Sequence, residues 1–285
     1  MTGERNYEVN SSARCNFLFL TEISQSVLGY FAHDSPDEQS FPAVPQHLGL
    51  KDDSEDRWRK FFRILEQLNA SATPGSSYKF FLLARHGQGY HNVAELKYGT
   101  KAWDDYWAKL GGDGEITWGP DPLLTDLGQE QAKLIHQGLV NEVSAGLPPP
   151  ERRFCSPLSR ALDTCDIMFA GAWKGYPHPV VVVENCREEN GVHTCDKRNT
   201  RSYIETYKPH FSFEQDFAED DELWRSDRRE TPEEVSQRAR KVLDMIFEAY
   251  PGDKFITITS HEGFIHGFLQ AIGRRKFKVP TGGDL

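Results

Sequence analysis

Phe80-Phe81-Leu82-Leu83-Ala84-Arg85-His86-Gly87 is an apolar run of strand length that stops at a cation, an imidazole and a glycine. In open α/β sheets, ligands bind just beyond the carboxyl ends of the strands. Gly87 lets the backbone turn sharply or approach a ligand with no Cβ in the way. Asn92 follows close behind and offers a neutral amide donor. Arg-His-Gly alone also fits an ordinary strand followed by a polar turn, so the segments downstream decide the reading.

Phe154-Cys155-Ser156-Pro157-Leu158-Ser159-Arg160-Ala161 reads as a second short strand running into a helix that opens with an arginine. Ile256-Thr257-Ile258-Thr259-Ser260-His261-Glu262-Gly263 reads as a third strand, ending in histidine and glycine. Three strand ends bearing Arg85 and His86, Arg160, and His261 describe one cationic pocket on one edge of a sheet. A cation opening a helix is mildly disfavoured by the helix dipole, so a nearby anion would account for Arg160. The β-branched run Val180-Val181-Val182-Val183 fits a strand covered on both faces of a mainly parallel sheet.

These three segments, in this order, resemble the histidine phosphatase superfamily on its phosphoglycerate mutase-like branch. The resemblance runs from about Tyr78 to near the end of the sequence. It implies a three-layer α/β/α sandwich around a mainly parallel sheet. Leu124-Thr125-Asp126-Leu127-Gly128 also resembles the family's helix start. In the family, a segment like Val279-Pro280-Thr281-Gly282-Gly283 leads into another edge strand, which looks shortened or missing here.

Composition narrows the partners. The 285 residues carry a formal charge of −10 and are 38% hydrophobic, as in a globular chain. That charge repels nucleic acid, so a phosphate ester must be drawn in by a local basic pocket. No apolar run approaches the ~20 residues of a bilayer span. Five cysteines without regular spacing, and no recognisable signal peptide, fit reduced thiols in a cytoplasmic or nuclear protein.

Residues 1–75 read as an extension, with an apolar patch at 16–20 and helical spacing of Trp58, Phe61, Phe62, Leu65 and Leu68. The helix is expected to pack on a domain spanning 76–285. Two insertions, about 93–124 and 186–230, would lie near the pocket. Trp103, Trp107 and Trp118 in the first are expected to anchor it to the core, and the second is expected to form a lid. Thr125 should cap a helix with Leu127, Leu134, Ile135 and Leu139 on its buried face. Thr231-Pro232-Glu233-Glu234 is a strong helix start, followed by a buried stripe of Val235, Ala239, Val242 and Ile246. Cys186, His193 and Cys195 match no common zinc spacing, so no metal is expected. Arg198 and Arg201 are candidates for the non-phosphate end of a substrate.

The resemblance, joined to the residues, implies phosphoryl transfer without a cofactor on a small phosphorylated substrate. Arg85 and Arg160 supply planar forks for phosphate oxygens. His86 attacks phosphorus through one ring nitrogen, which requires the other to donate to a fixed acceptor. His261, in its protonated form, adds a donor to the transferring oxygens, and Asn92 a further contact. The family draws its acid from a segment like Arg187-Glu188-Glu189-Asn190-Gly191, which points to Glu188, with Glu189 the alternative. Hydrolysis is expected over mutase chemistry, because Gln88 stands where the mutase motif has glutamate. A binding or scaffold member is the third alternative, against which the full set of reactive residues argues.

Overall fold

The computed structural model describes residues 24–35, 41–175 and 179–282. Cys15 and the apolar patch at 16–20 lie outside the described residues. In chain order the elements are α1 (Arg57–Ala70), β1 (Phe80–Arg85), α2 (Tyr90–Tyr98), α3 (Thr100–Asp105) and α4 (Asp126–Ser144). There follow β2 (Arg152–Cys155), α5 (Ser159–Phe169), β3 (Val180–Val182), α6 (Arg201–Tyr207), β4 (Ser212–Phe213), α7 (Pro232–Ala249), β5 (Phe255–Ser260) and α8 (Glu262–Ala271). The strands pair in the order β1-β5-β2-β3-β4, and every pairing is parallel.

A strand sends alternate side chains to opposite faces, and that alternation divides the core in two. Phe80, Leu82 and Ala84 of β1, with Phe255 and Cys155, pack against α1, α4, α5 and α6. Leu83, Phe154, Ile256 and Ile258 point the other way, onto α7 and α8. Helices on both faces make the three-layer α/β/α arrangement. Val235, Ala239, Val242 and Ile246 are all buried in α7, whose N-terminus carries a full capping box between Thr231 and Glu234. The expected face of α4 is corrected. Ile135 and Leu139 are buried as expected, but Leu127 and Leu134 are 54% and 62% exposed, and Ala132 faces the core with the other two. Leucine at a roughly helical spacing did not distinguish the solvent side of this helix. Among the described residues, no helix is long and apolar enough to cross a membrane.

His47 and helix α1 are tied to α4 by a buried carboxylate. Trp58, Phe61 and Leu65 of α1 join the cluster around Phe80. Glu142 in α4 accepts from Arg57 Nε and Trp58 Nε1, both at 2.7 Å, and lies 3.2 Å from His47 Nδ1. Burial alone would raise its pKa, but Arg57, Trp58 and His47 together hold it below the ordinary carboxylate value. Glu142→Ala, which strands a buried guanidinium and an indole N–H, should cost about 3–5 kcal/mol in a denaturant titration. Because this carboxyl's folded pKa is depressed, its contribution is present above the ordinary carboxylate range. It is lost as pH falls through the lowered value. Equal unfolding midpoints for the two proteins at neutral pH would disprove the tie.

The insertions form a satellite core. Trp103 and Trp118 are buried with Ala94, Ala108 and Cys195, and Trp107 stacks on Tyr98 at 4.0 Å. Thr194 Oγ1 donates to Leu110 O at 2.6 Å, linking the first insertion to the second. The second insertion also holds α6 and β4, which its polar sequence did not announce.

Candidate active site

Because β5 lies between β1 and β2, three strand ends that are far apart in the chain sit side by side. Arg85 is in register with Ser260, and Cys155 with Thr259. The ladder runs one step further: His86 N donates to Ser260 O and Ser156 N to Thr259 O, both at 3.0 Å. His86, His261 and Ser156 therefore leave the sheet together. Gly87 is required by a close crossing, since a Cβ there would lie 2.2 Å from Gly128 O. Gly128 needs to be glycine for the same reason, against Gln88 O at 2.1 Å. The two glycine motifs are thus halves of one contact. Thr125 caps α4 by accepting from Gly128 N at 3.1 Å, and its own N–H donates to Gln88 O at 2.9 Å.

His86 is buried, with Nδ1 2.6 Å from Gly87 O. A carbonyl only accepts, so Nδ1 carries the proton and Nε2 keeps its lone pair. Nε2 accepts from Arg160 Nε at 3.3 Å. Burial, then Arg160 and Arg85, hold the pKa of His86 well below the ordinary imidazole value, so the ring is neutral. His261 lies beside it with ring centroids 4.9 Å apart. Its Nε2 is 2.7 Å from Ser156 Oγ, and its Nδ1 is buried without a partner. These surroundings run against the expected protonated form. Burial and the neighbouring Arg160, His86, His91 and Arg85 depress the pKa of His261 well below its ordinary value.

Arg160 is fully buried. Besides Nε on His86, its Nη1 donates to Cys195 O at 2.8 Å and its Nη2 to Asp196 Oδ1 at 2.9 Å. The start of α5 already has an anion: Asp121 accepts from the backbone N and hydroxyl of Ser159, each at 2.8 Å. Arg85 pairs with Glu262 at 2.6 Å and donates to Val279 O, while its Nε has no partner. Asn92 accepts from Gly89 N at 2.9 Å through its amide oxygen. The same residue is half-buried at the start of α2.

Glu188 is held over the first turn of α8. Its Oε1 accepts from Glu189 N at 2.9 Å. A Cβ on Gly263 would stand 2.0 Å from that oxygen. Burial first, then the carboxylate of Asp196, raise its pKa against the pull of Arg160 and Arg229. Glu189 turns instead toward Arg229, 3.4 Å from its Nε. Gly263→Ala should displace the Glu188 carboxyl while the helix, which favours alanine, stays intact. We expect turnover of an alkyl phosphate to fall about 10²-fold, with thermal stability within about 1 kcal/mol of the parent. Unchanged kinetics would show that Glu188 is not needed where it stands.

The expectation for Arg198 fails here. Arg198 does not face a substrate: it is buried, with Nε and Nη2 on Glu184. Its remaining N–H groups donate to the carbonyls of Asn199, Ala218, Glu219 and Asp220. Every donor is spent on folding the loop. Arg201 pairs with Glu205 at 2.8 Å. Of the residues considered for zinc, His193 and Cys195 do cluster, with Asp196 rather than Cys186. Asp196, however, already carries two guanidinium groups.

The sequence reading missed His91, Asp196 and Arg229. His91 is buried with its ring 5.4 Å from that of His86. Asp196 Oδ2 accepts from Arg229 Nη1 at 2.6 Å. His91 follows the Arg-His-Gly turn closely enough to have been noticed. The other two carry no local signal.

Residues 81–279 match the sequence model of the histidine phosphatase superfamily (branch 1). A "Probable phosphoglycerate mutase" of Arthroderma benhamiae is 39% identical over 273 residues, covering 90% of this chain and 81% of that protein. "Phosphoglycerate mutase-like protein 1" of Arabidopsis thaliana is 31% identical over 222 residues, covering 68% of this chain and 72% of its own. Among solved structures, the ecdysone phosphate phosphatase of Bombix mori in complex with tungstate aligns at 12% identity and a TM-score of 0.43. The alignment spans 68% of this chain and 76% of that one.

Proposed function

The chain belongs to the histidine phosphatase superfamily, and on that premise we propose that it hydrolyses a small phosphorylated metabolite through a phosphohistidine on His86. The observation that carries the reading is the fixed tautomer: Nδ1 donates to Gly87 O, and an unprotonated Nε2 accepts from Arg160 Nε in a buried site. Arg85, Arg160 and His261 surround the transferring oxygens, with Asn92 at the side. Phosphate entry would take over Arg160 Nε from His86 Nε2, leaving Arg160 Nη2 on Asp196, and would favour protonation of His261.

In the first step Nε2 bonds to phosphorus as the ester P–O bond breaks. The leaving alkoxide takes the proton of Glu188, whose raised pKa suits a general acid. In the second step the Glu188 carboxylate accepts a proton from water, whose oxygen attacks phosphorus. The P–N bond breaks, phosphate leaves, and His86 and Glu188 return to their starting forms. Two guanidiniums and an imidazole supply the charge that neutralises the phosphoryl group.

The second reading is a mutase, favoured by the names of the similar proteins, in which another hydroxyl takes the phosphoryl group from His86. Incubation with p-nitrophenyl phosphate, and separately with 3-phosphoglycerate plus bisphosphoglycerate, decides between them. Hydrolysis supports the proposal, isomerisation replaces it, and neither activity points to a binding role.

A further inference from the structure

Asp196 sits at a junction that the two chemical steps leave unexplained. It is buried, and each of its oxygens serves a different guanidinium. Oδ1 accepts from Arg160 Nη2 at 2.9 Å, and Arg160 Nε is in turn on His86 Nε2. Oδ2 accepts from Arg229 Nη1 at 2.6 Å. That same Nη1 donates to Glu189 O and Gly191 O, both at 2.9 Å. A continuous chain of contacts therefore runs from the nucleophile, through Arg160, Asp196 and Arg229, to the segment bearing Glu188.

Asp196 has two jobs in such a chain. Without it, a buried guanidinium would face another with no anion between them, at high cost. It also presents negative charge to Glu188. The charged groups around Glu188 are Asp196, Arg160 and Arg229, with Glu189 adjacent in sequence and itself facing Arg229.

We propose that Asp196 is a positioning residue that locks the phosphate-binding arginine to the proton-donor loop, so that phosphate capture and leaving-group protonation share one rigid frame. The inference rests on the phosphatase reading above. Its test must therefore separate a wrong frame from a wrong enzyme.

Asp196→Asn and Arg229→Gln break the frame from its two sides, so a folding failure in one leaves the other. p-Nitrophenolate is a good leaving group and needs little acid help, whereas an alkoxide needs a proton. In both variants kcat for an alkyl phosphate should fall at least about 10-fold more than kcat for p-nitrophenyl phosphate. In Asp196→Asn, the descending high-pH limb for the alkyl ester should also move to lower pH, because a charge that favours protonated Glu188 has gone. Asp196→Glu, which keeps the charge, should leave that limb in place. Parallel losses on both esters with an unmoved limb would reduce Asp196 to a structural anchor and overturn the proposal. If the wild type hydrolyses neither ester, the phosphatase reading fails, and orthovanadate then tests the frame by hydrogen exchange. Vanadate should slow amide exchange across residues 188–191 in the wild type and not in Asp196→Asn. Equal protection in both sinks the frame.

Discussion

His86→Ala is expected to lower hydrolysis of p-nitrophenyl phosphate by about 10⁴-fold or more, because the unprotonated Nε2 proposed to take up phosphorus is removed. Arg85, Arg160 and His261 would remain, so the variant should still bind orthovanadate. The neutral ring makes a second expectation for the wild type. With the pKa of His86 held well below the ordinary imidazole value by burial, Arg160 and Arg85, Nε2 stays unprotonated through mildly acidic pH. The acidic limb of kcat/KM should therefore not report an ordinary imidazole. Rapid acid-free quenching of the wild type with a ³²P-labelled ester should trap a labelled protein, and the alanine variant should trap none. Residual turnover above about one part in a hundred, with the fold intact by circular dichroism, would move the nucleophile elsewhere.

Glu188→Gln should be selective. A general acid contributes about 10²–10⁴-fold where the leaving group needs a proton. That loss is expected in full for an alkyl phosphate and only in small part for the first step with p-nitrophenyl phosphate. Wild-type activity on the alkyl ester should extend above the ordinary carboxylate range, since burial and Asp196 raise the pKa of Glu188, and then decline as the proton is lost. Glu189→Gln is the control: its carboxyl faces Arg229, so its effect should be small. Were the two variants reversed, Glu189 would be the donor and the loop would have to turn over in the working enzyme.

The three strand ends were legible because each is a short apolar run broken at once by a residue that a core excludes. Parallel pairing then leaves those residues at one edge. Glycine motifs were legible for a different reason, since Gly87 and Gly128 answer a single backbone contact. Arg198 was misread because an arginine in a polar loop looks the same in sequence whether its fork faces solvent or four carbonyls. Asp196 and Arg229 were invisible because each has meaning only through the other and through Arg160. Leu127 and Leu134 were misplaced because helical spacing marks a stripe without saying which stripe meets the sheet.

The placement of β5 in the middle of the sheet has a consequence for biogenesis. Among the described residues the last strand, β5, is the wedge that joins β1 to β2, so a polypeptide halted before residue 254 has two unpaired strand borders and lacks His261. The edge that holds His86, Ser156 and His261 is therefore completed only when β5 pairs with both neighbours. Until that moment the half-made sheet offers exposed, apolar borders of the kind that chaperones bind and aggregates recruit.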